Sequence, residues 1–477
     1  MIKVKDLCVE ADKDILTCMK ILDKNALGIV FVIDEGRLIG SLSDGDIRRA
    51  IISGAKTYEN VAKYCNKKVV SMPIDTPEEK IQKSLSKKIK IIPLLDEKGI
   101  FVDFASTFRL HNFSVMEPLL GGKELEYVTD CIKTNWISSQ GKYVLHFEEK
   151  LQQICKVDYC LATSNGTVSL HLALAALNIG IGDEVIVPNL TFGASVNSII
   201  HSGAKPVLID VNFETWNISV EEIRSAITPN TKAIMPVHVY GNPCDMQEIM
   251  NSAKEHNLFV VEDCAEALGA KIGNKPVGSF GDAAAFSFFA NKIITCGEGG
   301  AVIFKDKLLY EKGKLLRDHG MSKNKRYWHE EVGYNYRLTN IQAAIGCAQL
   351  EQLNYFFKLR QKIFEYYDKF LMPTGLFKRP LVKKGNKESY WLYTVFITKE
   401  VNIDLLIQSL SKNGIDSRPV FYPMNQMPAF KNLNIHNNFL NSTNISKYGI
   451  SLPSSVSLEF DEIKFICDKL LKFVSNT

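Results

Sequence analysis

The residues best placed to do chemistry sit where long apolar runs end in polar groups. In DAAAFSFFANKIITCGEGGAVIF, Lys292 interrupts two strongly apolar segments, inside a turn that contains Gly297, Gly299 and Gly300. Most lysines are solvated surface charges. One held among apolar walls has its ammonium destabilised, so its pKa falls and the free amine becomes a nucleophile for a carbonyl. In LFVVEDCAEALGA, Glu262 and Asp263 follow four apolar residues that read as a buried strand. A carboxylate there is costly to bury without a partner. Asp263 could face a cation or a protonated ring nitrogen, or it could cap a helix at AEALGA. In LATSNGTVSLHLALAAL, a strand passes through Ser164-Asn165-Gly166-Thr167 straight into an amphipathic helix. A helix N-terminus offers free N–H groups and glycine permits close approach, so this turn could take a phosphate. An ordinary cap by Ser164 or Asn165 is the other reading.

Such groups need a frame that brings separate strand ends together. From about residue 115 to 305 the sequence alternates strand and helix signals. The strands are YCLATS, EVIVPNL, KPVLIDV, KAIMPVHVY, LFVVEDCAE, AAAFSFFA and GAVIFK, and helix-length segments such as Thr167–Asn178 and Val220–Ile227 separate them. Near-continuous apolar strands alternating with helices predict a mostly parallel sheet covered on both faces, with its site beyond the strands' carboxyl ends. Residues 306–365 read as helical, and the last ~110 residues as a smaller α+β domain.

The first ~110 residues differ. GIVFVIDEGRLIGSLS gives two β segments around the turn Asp34-Glu35-Gly36, followed by Asp44-Gly45-Asp46 and a helix from Ile47. Lys67 to Leu110 repeats the pattern loosely, with a helix opening at Thr76-Pro77-Glu78-Glu79 and a turn at Asp96-Glu97-Lys98-Gly99. Two β-α-β-β-α units in tandem indicate an internal duplication. The pattern resembles a pair of CBS motifs, small modules that often bind adenine nucleotides. In the first copy Ser43 and Asp46 fit that family's ribose-holding residues, a hydroxyl that donates and a carboxylate that accepts. Capping of the following helix is the competing role. The second copy, GIFVDFAS, lacks the pair.

Taken in order, SNGT before a helix, EDCAEALGA, FSFFANKIITCGEGG and RYWHEEVGYNYRLTNIQAAIGCAQLE resemble the DegT/DnrJ/EryC1 family of sugar aminotransferases, over about residues 115–477. With RPVFYPMNQMP, the pattern is most similar to the family's GDP-perosamine synthase branch. The resemblance implies pyridoxal 5'-phosphate on the α/β aspartate-aminotransferase fold (fold type I). Its large cofactor domain would span 113–365 and its small domain 366–477, with the CBS-like domain at 1–112 as an addition to the family pattern. Lys292 would attach the cofactor covalently and shuttle a proton between substrate and cofactor. Asp263 would hold the proton on the pyridine nitrogen, and Glu266 would lie near the ring hydroxyl. Phe192 would stack on the ring, and Gly166, Thr167 and Ser287 would donate to the phosphate. Asn335 would reach the phosphate of a neighbouring subunit's cofactor, which implies a homodimer or larger homo-oligomer with shared sites. His238, His329 and Arg337 are substrate-contact candidates.

The expected reaction moves an amino group from an amino acid, glutamate in the first instance, to the keto group of a nucleotide-linked 4-keto-6-deoxy sugar. A UDP- or dTDP-keto sugar or a smaller phosphorylated ketone is the enzymatic alternative, and a nucleotide sensor with a vestigial transferase half is an alternative of another class. The balance of 57 Lys+Arg against 53 Asp+Glu, a net charge of +4, is too weak to recruit nucleic acid. The longest apolar run, Ala26 to Ile33, is too short to span a bilayer. Acidic residues occupy the place of a secretory signal's apolar core, so a cytoplasmic protein is expected. Eleven cysteines without a CxxC pair indicate reduced thiols rather than a disulfide framework or a zinc site, and no metal is expected.

Overall fold

The tandem pattern of the first ~110 residues folds as two small sheets built alike. A computed structural model, which describes residues 3–86, 89–106, 113–431, 433 and 439–477, divides the chain into two compact units. One comprises Met1–Ser114 with Leu405–Ser417, the other Val115–Asp404 with Arg418–Thr477. In the first unit β1 (Cys8–Glu10), α1 (Ile15–Asn25), β2 (Ile29–Asp34), β3 (Arg37–Ser43) and α2 (Asp44–Ile52) form the first copy. The second copy has β4 (Met72–Pro73), α3 (Glu78–Ser84), β5 (Ile91–Leu95) and β6 (Phe101–Ser106). In each, the first strand runs parallel to the second, and the second pairs antiparallel with the third. Both hairpins slip register just before their acidic turn, at Val32/Ile33 and at Leu94/Leu95. The two turns meet: Phe101 N–H donates to the Gly36 carbonyl at 2.9 Å, and the Phe31 and Phe101 rings cross edge-to-face at 5.2 Å. The closing helix of the second copy would fall partly on 107–112, outside the described residues.

Ser43 and Asp46 are adjacent, but they are committed to each other. The helix starts at Asp44 rather than at Ile47, and Ser43 is its N-cap. Ser43 Oγ accepts from Asp46 N–H at 3.2 Å, while Ser43 N–H and Oγ–H donate to Asp46 Oδ2 at 2.9 and 2.6 Å. Arg49 takes the other oxygen at 2.6 Å. This is a capping box, which satisfies otherwise orphaned helix donors. The hydroxyl and carboxylate expected to hold a ribose thus also cap their own helix, the competing role that the sequence offered.

In the second unit, α4 (Glu124–Lys133) and α5 (Lys142–Cys155) precede the alternating region. There β7 (Tyr159–Thr163), α6 (Gly166–Ala176), β8 (Glu184–Pro188), α7 (Gly193–His201), β9 (Lys205–Ile209), α8 (Val220–Ala226), β10 (Thr231–Ile234), α9 (Met246–His256) and β11 (Phe259–Asp263) follow in turn. A short hairpin, β12 (Lys271–Ile272) and β13 (Lys275–Pro276), leads to β14 (Ala283–Ser287) and β15 (Gly300–Phe304). All seven segments predicted as strands enter one sheet, in the order β7-β15-β14-β11-β10-β8-β9. Only β15 runs antiparallel to its neighbours. Successive residues point to opposite faces: Ala284 and Phe286 join one apolar cluster, Ala283 and Ala285 the other. Both faces are therefore covered, which explains why the strands read as unbroken apolar runs.

Beyond the sheet come α10 (Lys307–Arg317), α11 (Asn340–Glu351) and α12 (Leu353–Leu371). Residues 318–339 are not helical, so the expectation of continuous helix over 306–365 fails in its middle. The expected domain boundary at 365/366 falls inside α12, whose apolar stripe continues through Tyr367 and Leu371. The C-terminal part holds β16 (Phe377–Lys378), β17 (Asn386–Lys387), β18 (Tyr393–Ile397), α13 (Ile403–Ser411), β19 (Arg418–Pro419), α14 (Leu440–Tyr448), β20 (Gly449–Leu452) and α15 (Phe460–Asn476). Four of these strands form a sheet in the order β16-β18-β20-β19, and α15 packs on α12.

The capping box has a measurable consequence. Ser43→Ala removes one acceptor and one donor at the start of α2, a loss of about 1 kcal/mol of local stability. Amide exchange at Asp46 and Ile47 in the full chain is expected to accelerate roughly fivefold, and unchanged protection would show that the box does not hold the helix.

Candidate active site

The carboxyl ends of β7, β8, β10, β11 and β14 share one edge of the sheet, because these strands all run the same way. The polar groups singled out in the sequence lie on the turns that leave this edge. Asp263 ends β11 and is buried. Ser195 Oγ–H, in the first turn of α7, donates to Asp263 Oδ2 at 2.8 Å, and Ala265 N–H donates to Oδ1 at 3.1 Å. Burial raises the Asp263 pKa, opposed by the Ser195 and Ala265 hydrogen bonds and by the charge of Lys292.

Three residues on, Glu266 turns its carboxylate back into the site. The Tyr240 N–H donates to its Oε2 at 2.7 Å, and Lys292 Nζ stands 3.8 Å from its Oε1. Burial pushes the Glu266 carboxyl up to about 7, although Lys292 and the Tyr240 N–H pull it down. Lys292 is affected in the complementary sense: burial lowers its pKa, and Glu266 and Asp263 counteract it. The direction of that shift is the one expected of a lysine held among apolar walls.

Two further predicted residues meet on adjacent elements. Gly166 opens α6, whose N-cap is Asn165, with its side chain accepting from Val168 N–H at 3.0 Å. A Cβ on Gly166 would lie 2.8 Å from the Cβ of Ser287 at the end of β14. Only glycine lets that hydroxyl sit so close to the free amides of the helix, where Thr167 is the second residue. Phe192, the residue before α7, leaves its ring 63% exposed, with the Phe421 ring 6.0 Å away.

The remaining candidates are placed otherwise. His238 is wholly buried: Nδ1 accepts from Cys244 N–H at 3.0 Å, and Nε2–H donates to Glu262 at 3.2 Å. Both ring nitrogens are engaged inside the protein, which corrects the expected substrate contact. Glu262 also accepts from the N–H groups of Gly278, Phe280 and Gly281. His238, Glu262 and Cys264 lie close enough to resemble a metal site, but those hydrogen bonds already fill the carboxylate. His329 Nδ1–H donates to the His319 carbonyl at 2.8 Å. Arg337 reaches Asp318 at 2.8 Å, Asn335 Oδ1 at 3.1 Å and His319 at 3.3 Å. Both residues brace the turn that carries Asn335.

The structure adds three residues that sequence reasoning missed. Ser195 follows Phe192 by one helical turn, a spacing that could have marked it. Tyr240 adopts the left-handed φ of 51°, a strained conformation for a bulky residue. Its ring lies between those of Trp391, 5.9 Å away at 19°, and Phe421, 5.0 Å away at 16°. Trp391 in turn presents its ring face to Lys292 Nζ at 4.0 Å. Nothing local in ESYWLYTVF signals that contact.

Pyridoxal phosphate requires an amine for its aldehyde, an anion for its ring nitrogen and clustered donors for its phosphate. The largely enclosed amine of Lys292, the buried carboxylate of Asp263 and the cradle of Gly166 and Ser287 fit these demands on the same sheet edge.

Comparison with known proteins agrees. Residues 118–471 match the DegT/DnrJ/EryC1/StrS aminotransferase family, and residues 2–53 match the CBS domain. The GDP-perosamine synthase of Escherichia coli O157:H7 is 45% identical over 362 residues, covering 76% of this chain and 98% of that protein. The GDP-perosamine synthase of Caulobacter vibrioides is 47% identical over 327 residues, 68% of this chain and 88% of that protein. Among solved structures, Helicobacter pylori PseC, an aminotransferase involved in the biosynthesis of pseudoaminic acid, superposes with a TM-score of 0.72 at 30% identity, over 76% of this chain and 100% of its own. Since a single match runs through the whole sheet, the lysine turn and the C-terminal part, the chain belongs to the DegT/DnrJ/EryC1/StrS family and is a pyridoxal-phosphate-dependent aminotransferase.

Proposed function

We propose that the enzyme transfers an amino group from glutamate to the keto group of a nucleotide-linked 4-keto-6-deoxy sugar, with a GDP-linked sugar first among the substrates. The observation that carries the sugar reading is that relatives at 44–47% identity, aligned over 88–98% of their own length, are GDP-perosamine synthases. Bound at this edge, pyridoxal phosphate supplies an aldehyde for amines and a ring that accepts the electron pair left when a C–H bond loses its proton. The chain's residues do the rest. Asp263, fixed by Ser195 and Ala265, holds a proton on the ring nitrogen and so keeps the ring electron-poor. Gly166, Thr167 and Ser287 anchor the phosphate, and Phe192 covers one ring face. Lys292 Nζ first holds the cofactor, then takes the proton from the donor's carbon and returns it, a role that a lowered pKa suits. Glu266 lies 3.8 Å away to receive the ammonium between these acts.

Asn335 belongs to the neighbouring subunit's site in this reading, which makes the enzyme a homodimer. What supports it is the brace from Arg337, Asp318 and His319 around an otherwise exposed turn. The N-terminal domain performs no chemistry, and the eleven free cysteines accord with a reducing cytoplasm.

Holoenzyme incubated with glutamate and a panel of GDP-, UDP- and dTDP-linked keto sugars is expected to release 2-oxoglutarate fastest with the GDP compound. A faster UDP or dTDP member would reassign the substrate, and no release with any would sink the sugar reading. Lys292→Ala is expected to lose turnover by about 10⁴-fold while still binding the cofactor reversibly. Asp263→Asn should retain cofactor and lose turnover by roughly 10²–10³-fold; normal activity would make Asp263 a structural cap. Shared sites are tested by mixing Lys292→Ala with Asn335→Ala subunits. One site of each hybrid dimer is then undamaged, so activity should return, and none after demonstrated exchange would refute sharing.

A further inference from the structure

Trp391 comes from the C-terminal part of the chain, yet its ring lies on the reactive lysine. The ring is pinned from three directions. Its Nε1–H donates at 2.7 Å to the carbonyl of Asn291, the residue next to the lysine. Its own carbonyl accepts from Arg360 Nη1 at 3.0 Å, and Tyr240 stacks against it. Arg360, on α12, is only 3% exposed and has no carboxylate partner among the described residues; its other contacts are the Tyr390 carbonyl and Met116 Sδ. A guanidinium buried at such cost, with burial pulling it down to about 9, is spent on backbone carbonyls and a thioether. Its placement makes sense if the carbonyl of Trp391 must not move.

We propose that Trp391 is a positioning residue whose indole face is the resting place of the Lys292 ammonium, and that this contact favours the protonated lysine. The inference rests on the assignment of Lys292 as the residue that attaches the cofactor. An ammonium near the centre of an indole face is attracted by the ring's negative quadrupole, most strongly where water is excluded. The charged or titratable groups that face Lys292 are Asp263, the last residue of β11, Glu266, three residues on and 3.8 Å away, and Glu117 and Arg360, which line the same small cavity as Lys292. Glu266 holds the ammonium from one side, and Trp391 holds it from another. The amine released from the cofactor therefore has a defined place to keep its proton before returning it.

The test reads the lysine through its attachment to the cofactor and does not use turnover. Cofactor-free enzyme is mixed with pyridoxal phosphate from pH 5.5 to 9.5, trapped early with borohydride, and the labelled Lys292 peptide is quantified by mass spectrometry. Only the free amine attacks, so the rate rises with pH around a midpoint set by the lysine. Trp391→Leu removes the π face but keeps an apolar cover, and its midpoint should fall by about half to one pH unit. Trp391→Phe should fall less. Replacing the four tryptophans biosynthetically with fluorinated analogues withdraws electron density at constant shape, so the midpoint should fall stepwise with fluorine number even if the leucine variant fails to fold. A midpoint that stays fixed or rises in these proteins overturns the proposal. Absence of label on Lys292 in the unaltered enzyme would instead overturn the assignment of the lysine.

Discussion

Three titratable groups withheld from water at one edge of a sheet are the constraint on which the rest of this structure depends. Lys292, Asp263 and Glu266 each suffer desolvation; the two carboxylates stabilise the ammonium, and Lys292 with a few aimed donors stabilises each carboxylate, while Asp263 raises Glu266 by like-charge repulsion. The cost is reduced but not cancelled, so burial leaves the lysine easier to deprotonate and the carboxyls harder to ionise. Glu266, pushed up to about 7, can exchange a proton near neutrality. The scaffold must therefore supply rigidity at that edge, and it does so with five parallel strand ends and the segments that leave them.

Around this centre lies a layer that touches no reactant but fixes those that do. Ser195 orients Asp263, Tyr240 accepts backbone strain to aim its amide at Glu266, and Glu262 gathers the turn from Gly278 to Gly281 against His238. These contacts come from segments far apart in the chain, and each is a single hydrogen bond whose value depends on water being absent.

The sequence disclosed the elements better than the contacts. All seven strands of the large sheet were legible, because a doubly covered strand is written as an apolar run with its polar group at the end. Lys292, Asp263 and Gly166 were legible for the same reason, whereas Glu266 and Ser287 entered through the resemblance to the family. Trp391 and Tyr240 were not, since their meaning arises only when the C-terminal part folds back, and an aromatic residue in a strand looks like core. Burial by itself separates His238 from the substrate candidates. The break in helix at 318–339 escaped notice because apolar and aromatic residues at irregular spacing there imitate a helical stripe. In the N-terminal domain, a hydroxyl and a carboxylate three apart serve equally as a ligand pair or a capping box, and geometry alone distinguishes them.

Strand β15, the one member of the large sheet that runs backwards, has a consequence for how this enzyme can vary. Because β15 pairs directly with β14, Ser287 faces Gly300 and the Phe288 N–H closes on the Gly299 carbonyl at 2.8 Å. Lys292 accordingly rides on a sealed loop clamped at both ends, whereas Gly166, Thr167 and Phe192 ride on open turns from strand to helix. An open turn can lengthen and let its helix drift outward; a sealed loop can lengthen only by displacing the lysine. Insertions and deletions are therefore easier to absorb in an open turn, as long as Ser195 and Tyr240 keep their bonds to Asp263 and Glu266. Between Phe288 and Gly299 they should be rejected, which leaves the attachment point fixed while the recognition surface around it is free to diversify.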